Sequence, residues 1–120
     1  MPFAVENLIL YQRSVNFADN ILTITESFPR GYRFLADQLN RASVSISANL
    51  AEGNGRFTKP DRKHFFAIAR GSIQECIPLL ELATRRSLLK PGEHRRLYNT
   101  LDELAKMISG LINGLDKRSA

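Results

Sequence analysis

Three clusters of helix-breaking residues cut this chain into four long segments, and that punctuation limits its fold more than any other feature. Pro29, Arg30 and Gly31 make the first break, Gly53, Asn54 and Gly55 the second, and Lys90, Pro91 and Gly92 the third. Between the breaks, apolar residues recur every three or four positions and never alternate for long enough to make a strand. The segments, about residues 3–28, 32–52, 59–86 and 92–115, read as helices. Short connections between helices of similar length favour antiparallel neighbours. The expected fold is all-α: one antiparallel up-down-up-down four-helix bundle covering residues 1–120.

Each segment carries a core stripe. In the second it is Leu35, Leu39, Ala42, Ile46 and Leu50; in the fourth, Leu97, Leu101, Leu104, Ile108, Leu111 and Leu115. The third offers Phe65, Phe66, Ala69, Ile73, Cys76, Ile77 and Leu80, with Ile68, Leu79 and Leu82 on another side. In the first, Ala4, Leu8, Tyr11, Val15, Ala18 and Leu22 are expected to face the bundle, leaving Leu10, Phe17, Ile24 and Phe28 on the opposite side. A large apolar side chain left in water forgoes about 1.5–3 kcal/mol. The outer residues Leu10, Phe17, Ile24, Phe28, Ile68, Leu79 and Leu82 are therefore expected to form an oligomer interface.

Local signals refine the ends. Gly53 stands where a C′ glycine belongs, and Thr58 is an expected N-cap with Asp61 three residues on. Pro78 is expected to kink the third helix without breaking it. Asp116 to Ala120 reads as a frayed tail.

With 43% hydrophobic and 24% charged residues, the chain has the balance of a soluble globular domain. Cys76 is its only cysteine, which excludes an internal disulfide and a Cys zinc cluster and suits a reducing cytoplasm. The opening MPFAVENLILYQR has neither a basic leader nor a small-residue cleavage site, so no signal peptide is expected. No apolar run approaches the roughly 18 residues of a membrane span.

No metal, nucleotide or nucleophile motif is present. His64 and His94 are isolated, Cys76 has no identifiable base, and Gly53-Asn54-Gly55 lacks the strand and Lys-Ser/Thr of a phosphate loop. No catalytic residue, cofactor or metal site is expected. Arg41, Ser45, Asn49 and Glu52 share one flank of the second helix and are expected to meet Arg70, Ser72 and Glu75 of the third in a structural polar network. An enzyme built on Arg41, Glu52 and Glu75 would need a pocket that nothing in the sequence indicates.

The net charge of +5 favours polyanionic partners. Arg30, Arg33, Arg56, Lys59, Arg62 and Lys63 flank the first two breaks, and Arg85, Arg86, Lys90, Arg95 and Arg96 surround the third. In an up-down bundle the first and third connections share an end, which would join Arg30 and Arg33 to the cluster of Arg85 to Arg96. These cations are the candidate nucleic-acid contacts, against the alternative of a solvated charged rim. Tyr32 and Phe57 stand beside them, as stacking residues for bases or, the favoured reading, as staples of the loops to the core.

The stretch QLNRASVSISANLAEGNGR (Gln38 to Arg56), the pair Phe65-Phe66 and IARGSIQE (Ile68 to Glu75) together resemble a bacterial family of small four-helix-bundle proteins. Its members were first noticed as products of intervening sequences inside 23S ribosomal RNA genes. Pro78 departs from the family pattern. The resemblance implies a homopentameric barrel, in keeping with the two-sided first and third helices. A related branch, the accessory proteins of diversity-generating retroelements, looks like a basic pentameric barrel that binds nucleic acid and a reverse transcriptase. No catalytic residue carries over.

The expected function is a non-enzymatic, homo-oligomeric cytoplasmic module that contacts RNA or DNA without sequence preference. The rival is a protein-interaction scaffold for a co-encoded polypeptide, without nucleic-acid binding.

Overall fold

Each break has a visible cause in the backbone. The computed structural model describes residues 5–117 and contains α1 (Val5–Thr25), α2 (Arg33–Asn54), α3 (Lys59–Arg85) and α4 (Pro91–Lys117), with a 3₁₀ turn at Arg30–Tyr32. Phe3 and Ala4, expected in the first helix, and Arg118 to Ala120 of the expected tail lie outside the described residues. The helix α1 stops three residues before the expected Phe28. Its ladder tightens there, with Ser27 N–H donating to Ile24 C=O at 3.2 Å and Phe28 N–H to Thr25 C=O at 3.0 Å. Pro29 then removes the next donor and disfavours the helical conformation at Phe28.

The second break lies past Gly53, which is not a C′ cap. No glycine among the described residues has a positive φ, and α2 runs through Gly53 to Asn54. The requirement at this position is space, set by Phe66 across the interface with α3. Gly55 closes the helix by donating its N–H to the carbonyls of Ala51 and Glu52 at 3.2 and 3.1 Å. The Thr58 hydroxyl then accepts from Asp61 N–H at 3.3 Å, the expected N-cap of α3, with Pro60 in the first turn. Pro78 does not break α3. Its side is exposed, so water reaches the carbonyl of Gln74 that the missing N–H leaves unpaired.

The third break comes earlier than Lys90. Leu88 N–H donates to Ala83 C=O at 2.8 Å and Ser87 N–H to Thr84 C=O at 3.0 Å, a Schellman pair with Ser87 at φ 63°. Pro91 becomes the first residue of α4, and the Glu93 carboxylate returns to accept from Lys90 N–H at 3.1 Å.

Cross-helix bonds fix the directions. Asn7 reaches Asn54 and Thr25 reaches Asn40, so α1 and α2 are antiparallel. Ser45 with Ser72, and Arg41 with Glu75, set α2 against α3. Lys63 with Asp116, and Arg70 with Ser109, set α3 against α4. Arg13 with Glu103 at 3.6 Å closes α4 back on α1. The result is an up-down-up-down bundle measuring 51 × 21 × 20 Å. No described helix is long and apolar enough to cross a membrane.

The expected stripe of α2 is buried throughout, as is that of α4 except Leu111, which packs partly buried against the core. In α3, Phe66, Ala69, Ile73, Cys76 and Leu80 are buried as expected, while Phe65 and Ile77 are half-buried.

On α1 the expected Ala18 is buried and Tyr11 packs partly buried against the core, but the other described residues of the two stripes change places. Leu10 and Phe17, expected on an oligomer interface, are 2% and 3% exposed and belong to the core. Ile24 and Phe28 pack partly buried against the same cluster, and Leu79 of α3 joins it. Conversely, Leu8, Val15 and Leu22 stand 42%, 38% and 40% exposed. The inward stripe is Leu10, Ser14, Phe17, Ile21 and Thr25, and its two hydroxyls disguise it in the sequence. Ser14 donates to Tyr11 C=O at 2.6 Å and Thr25 to Leu22 C=O at 3.2 Å, so both are buried without an unpaired polar atom. The stripe then brings Phe17, Ile21 and Leu10 inward, which removes more apolar area from water than the stripe it displaces.

Candidate nucleic-acid interface

The antiparallel order sorts the basic residues onto two ends. Arg30 and Arg33, from the first connection and the start of α2, share an end with Arg85, Arg86, Lys90, Arg95 and Arg96. The join is direct: Arg86 Nε donates to the Tyr32 hydroxyl at 3.0 Å, and its guanidinium carbon lies 5.7 Å from that ring's centroid. Tyr32 is half-buried and ties the first loop to exposed Arg86 at the end of α3, where a staple to the core was expected. Arg85 pairs with Glu81 at 2.8 Å. Arg30, Arg33, Arg95 and Arg96 are exposed and make no ion pair with a described residue.

The remaining expected contacts, Arg56, Lys59, Arg62 and Lys63, lie at the opposite end, so the eleven candidates make two clusters. Here the cations are tied to the protein. Arg56 pairs with Glu52 at 2.9 Å and lies 4.5 Å over the Phe65 ring. Arg62 Nε donates to Arg56 C=O at 2.7 Å, and Lys63 pairs with Asp116. Phe57 departs from its expected role. It staples nothing and is 89% exposed.

Between the ends, the polar flank of α2 forms only part of the expected network. Arg41 bonds Glu75, and Ser45 bonds Ser72 at 2.8 Å. Asn49 donates to the Ser45 carbonyl at 2.8 Å and to its hydroxyl at 3.0 Å, while Ser72 donates back to Ile68 C=O at 3.1 Å. Glu52 turns to Arg56 and Arg70 to Ser109 at 2.7 Å, so neither joins the others. Two polar links escaped the sequence reading: Asn7 to Asn54 at 3.0 Å and Thr25 to Asn40 at 2.8 Å. Asparagines scattered among apolar residues gave no periodic signal.

Burial pushes the Cys76 thiol up to about 12, with the neighbouring Glu75 carboxylate adding to the shift. A thiol in that state is a packing group and not a nucleophile at neutral pH. His64 meets Phe65 edge-on at 5.2 Å, and His94 lies 6.4 Å from Tyr98.

Two separate apolar flanks remain exposed. On α1, Leu8, Val15 and Leu22 repeat every seven residues. On α3, Ile68 and Leu82 stand seven residues either side of Glu75, and the register set by Arg41 and Glu75 places exposed Phe34 of α2 level with Leu82.

Similarity to known proteins bears on the whole bundle. No curated protein matches the chain. The crystal structure of a protein of unknown function from the S23 ribosomal protein family of Bacteroides thetaiotaomicron VPI-5482 superposes with a TM-score of 0.84 at 21% identity, covering 91% of this chain and 99% of that one. The shared fold is therefore secure where sequence identity alone is low. The family model described as 23S rRNA-intervening sequence protein matches residues 6–110. All three breaks and the α2–α3 motif fall inside that match, and the chain belongs to the 23S rRNA-intervening sequence protein family.

Proposed function

We propose that the protein assembles with copies of itself into a ring and binds RNA or DNA without sequence preference, with no catalytic role. The observation that carries nucleic-acid binding is the collection of Arg30, Arg33, Arg95 and Arg96 on one end without acidic partners among the described residues. Guanidinium groups held this way contact phosphates and carry no base code, which gives affinity without sequence preference. Assembly is supported by the apolar flanks. Leu8, Val15 and Leu22 on one side and Ile68 and Leu82 on the other are different surfaces. Different surfaces meeting head to tail make a ring when the rotation between copies closes, whereas a two-fold dimer would need only one self-complementary patch. The family resemblance implies five copies. Ring symmetry would repeat the basic end around an axis and multiply the phosphate contacts.

The test is an electrophoretic shift with RNA and with DNA across a salt series, on protein whose mass in solution is known. The expected result is binding that weakens linearly in log–log form as salt rises. Absence of binding at low salt, or indifference to salt, overturns the reading. A co-encoded polypeptide covering the same apolar flanks is the rival. Recovery from the native host of a stoichiometric protein partner without nucleic acid would establish it.

A further inference from the structure

Phe57 is the most exposed large apolar side chain among the described residues, at 89%. The loop that carries it is pinned on both sides. Before it, Gly55 and Arg56 donate their N–H groups back to α2, and the Arg56 side chain is held by Glu52 and by the Phe65 ring. Arg62 secures the Arg56 carbonyl at 2.7 Å. After it, Thr58 caps α3 through Asp61 N–H at 3.3 Å. A ring held in water by so many bonds forgoes the stabilisation that burial would bring. It is presented to something outside the chain.

The surroundings identify the occupant. Arg56, Lys59, Arg62 and Lys63 crowd the same loop and first turn; Glu52 and Asp116 pair with Arg56 and Lys63 there, and the phosphates of a polyanion would compete with those carboxylates for the two cations. Beside the ring opens a hollow of about 390 Å³ between Glu52, Gly55, Arg56 and Asp61. Asp61 at its rim has the chemistry to accept from a base amino group, whereas Glu52 is engaged by Arg56 at 2.9 Å. Protein hot spots set their aromatic anchors within a well-packed, desolvated patch; Phe57 is flanked by Arg56, Thr58 and Lys59 instead. An unpaired base, with its face open, fits this loop, and a duplex hides that face.

We propose that Phe57 is a stacking platform for one unpaired base of a single-stranded nucleic acid, with the flanking phosphates on the cations of the α2–α3 loop and turn. The proposal rests on the nucleic-acid reading above and adds to it a strand preference and a location. Binding is measured by fluorescence anisotropy with an unstructured RNA oligonucleotide, the same sequence as DNA, and the duplex of each. The proteins are wild type, Phe57→Ala, Phe57→Leu and Phe57→Trp, and each keeps the fold because the side chain is exposed.

Phe57→Ala and Phe57→Leu should weaken single-strand binding about tenfold, Phe57→Trp should retain it, and duplex binding should not change. A drop on either backbone supports the platform, and its relative size identifies the preferred sugar. Wild-type binding with no loss in Phe57→Ala overturns the platform and leaves the broader reading standing. A failure of wild type to bind any of the four probes overturns both. A fall in mass in solution on Phe57→Ala, with single-strand affinity unchanged, would assign the ring to an assembly contact instead.

Discussion

Gly53 of α2 lies so close to Phe66 of α3 that a Cβ added to the glycine would stand 2.5 Å from the phenyl ring. Phe66 is almost fully buried, so its ring has nowhere to retreat. Gly53→Ala is therefore expected to destabilise the protein by about 1–3 kcal/mol through overpacking, despite alanine's better helix propensity. Urea unfolding measures the loss. Adding Phe66→Leu should recover part of it, because the smaller side chain vacates the clash, and the double-mutant cycle would show the two positions coupled.

Ser87 occupies the left-handed conformation that closes α3, at φ 63°. Glycine adopts this conformation without the Cβ penalty that serine carries. Ser87→Gly is expected to stabilise the protein by about 0.5–1 kcal/mol, raising Tm by roughly 2–4 °C in calorimetry. A lower Tm would count against the Schellman assignment.

The Cys76 thiol should resist alkylation in the native protein and react only on unfolding, when its proton is no longer held by burial. Burial, with the Glu75 carboxylate beside it, pushes the folded thiol up from about 9 to about 12. The unfolded chain therefore loses this proton first as the solution becomes alkaline. The stability contributed by the shift is full below pH 9 and declines as pH climbs toward 12. Comparing wild type with Cys76→Ala over that interval isolates the contribution, and parallel curves would refute it.

The two faces of α1 separate stability from assembly. Phe17→Ala should cost about 3–5 kcal/mol, since it empties a buried site. Replacing exposed Leu8, Val15 and Leu22 by Glu, Lys and Glu should leave urea unfolding of the protomer nearly unchanged while reducing the particle to 13.6 kDa by light scattering. A wild-type protein already at 13.6 kDa would remove the ring.

Stretches whose pattern had a single solution were legible from residues alone. The stripe of α2 from Leu35 to Leu50 recurs every three or four residues, and off it only Phe34 and Val44 are large and apolar, so one face alone has enough apolar residues to turn inward. Thr58, Asp61 and Pro60 announce the start of α3 because capping is decided within one turn. Arg41 with Glu75 and Ser45 with Ser72 were likewise foreseeable from spacing, once α2 and α3 were antiparallel. Phe57 was misjudged for the opposite reason. A staple and an exposed platform have the same sequence neighbours, and only the path of the loop distinguishes them.

Punctuation and apolar period, both properties of the chain itself, determined that the protein has four helices and where most of them end. Tertiary packing alone decided which side of α1 is core, why Gly53 has no side chain, and which arginines at the shared end have no ion pair among the described residues. The reason is that helix formation depends on bonds within a few residues, whereas burial and charge pairing depend on what the neighbouring helices bring. A serine that bonds its own backbone can lie in a core, and an aromatic that finds no neighbour is left in water.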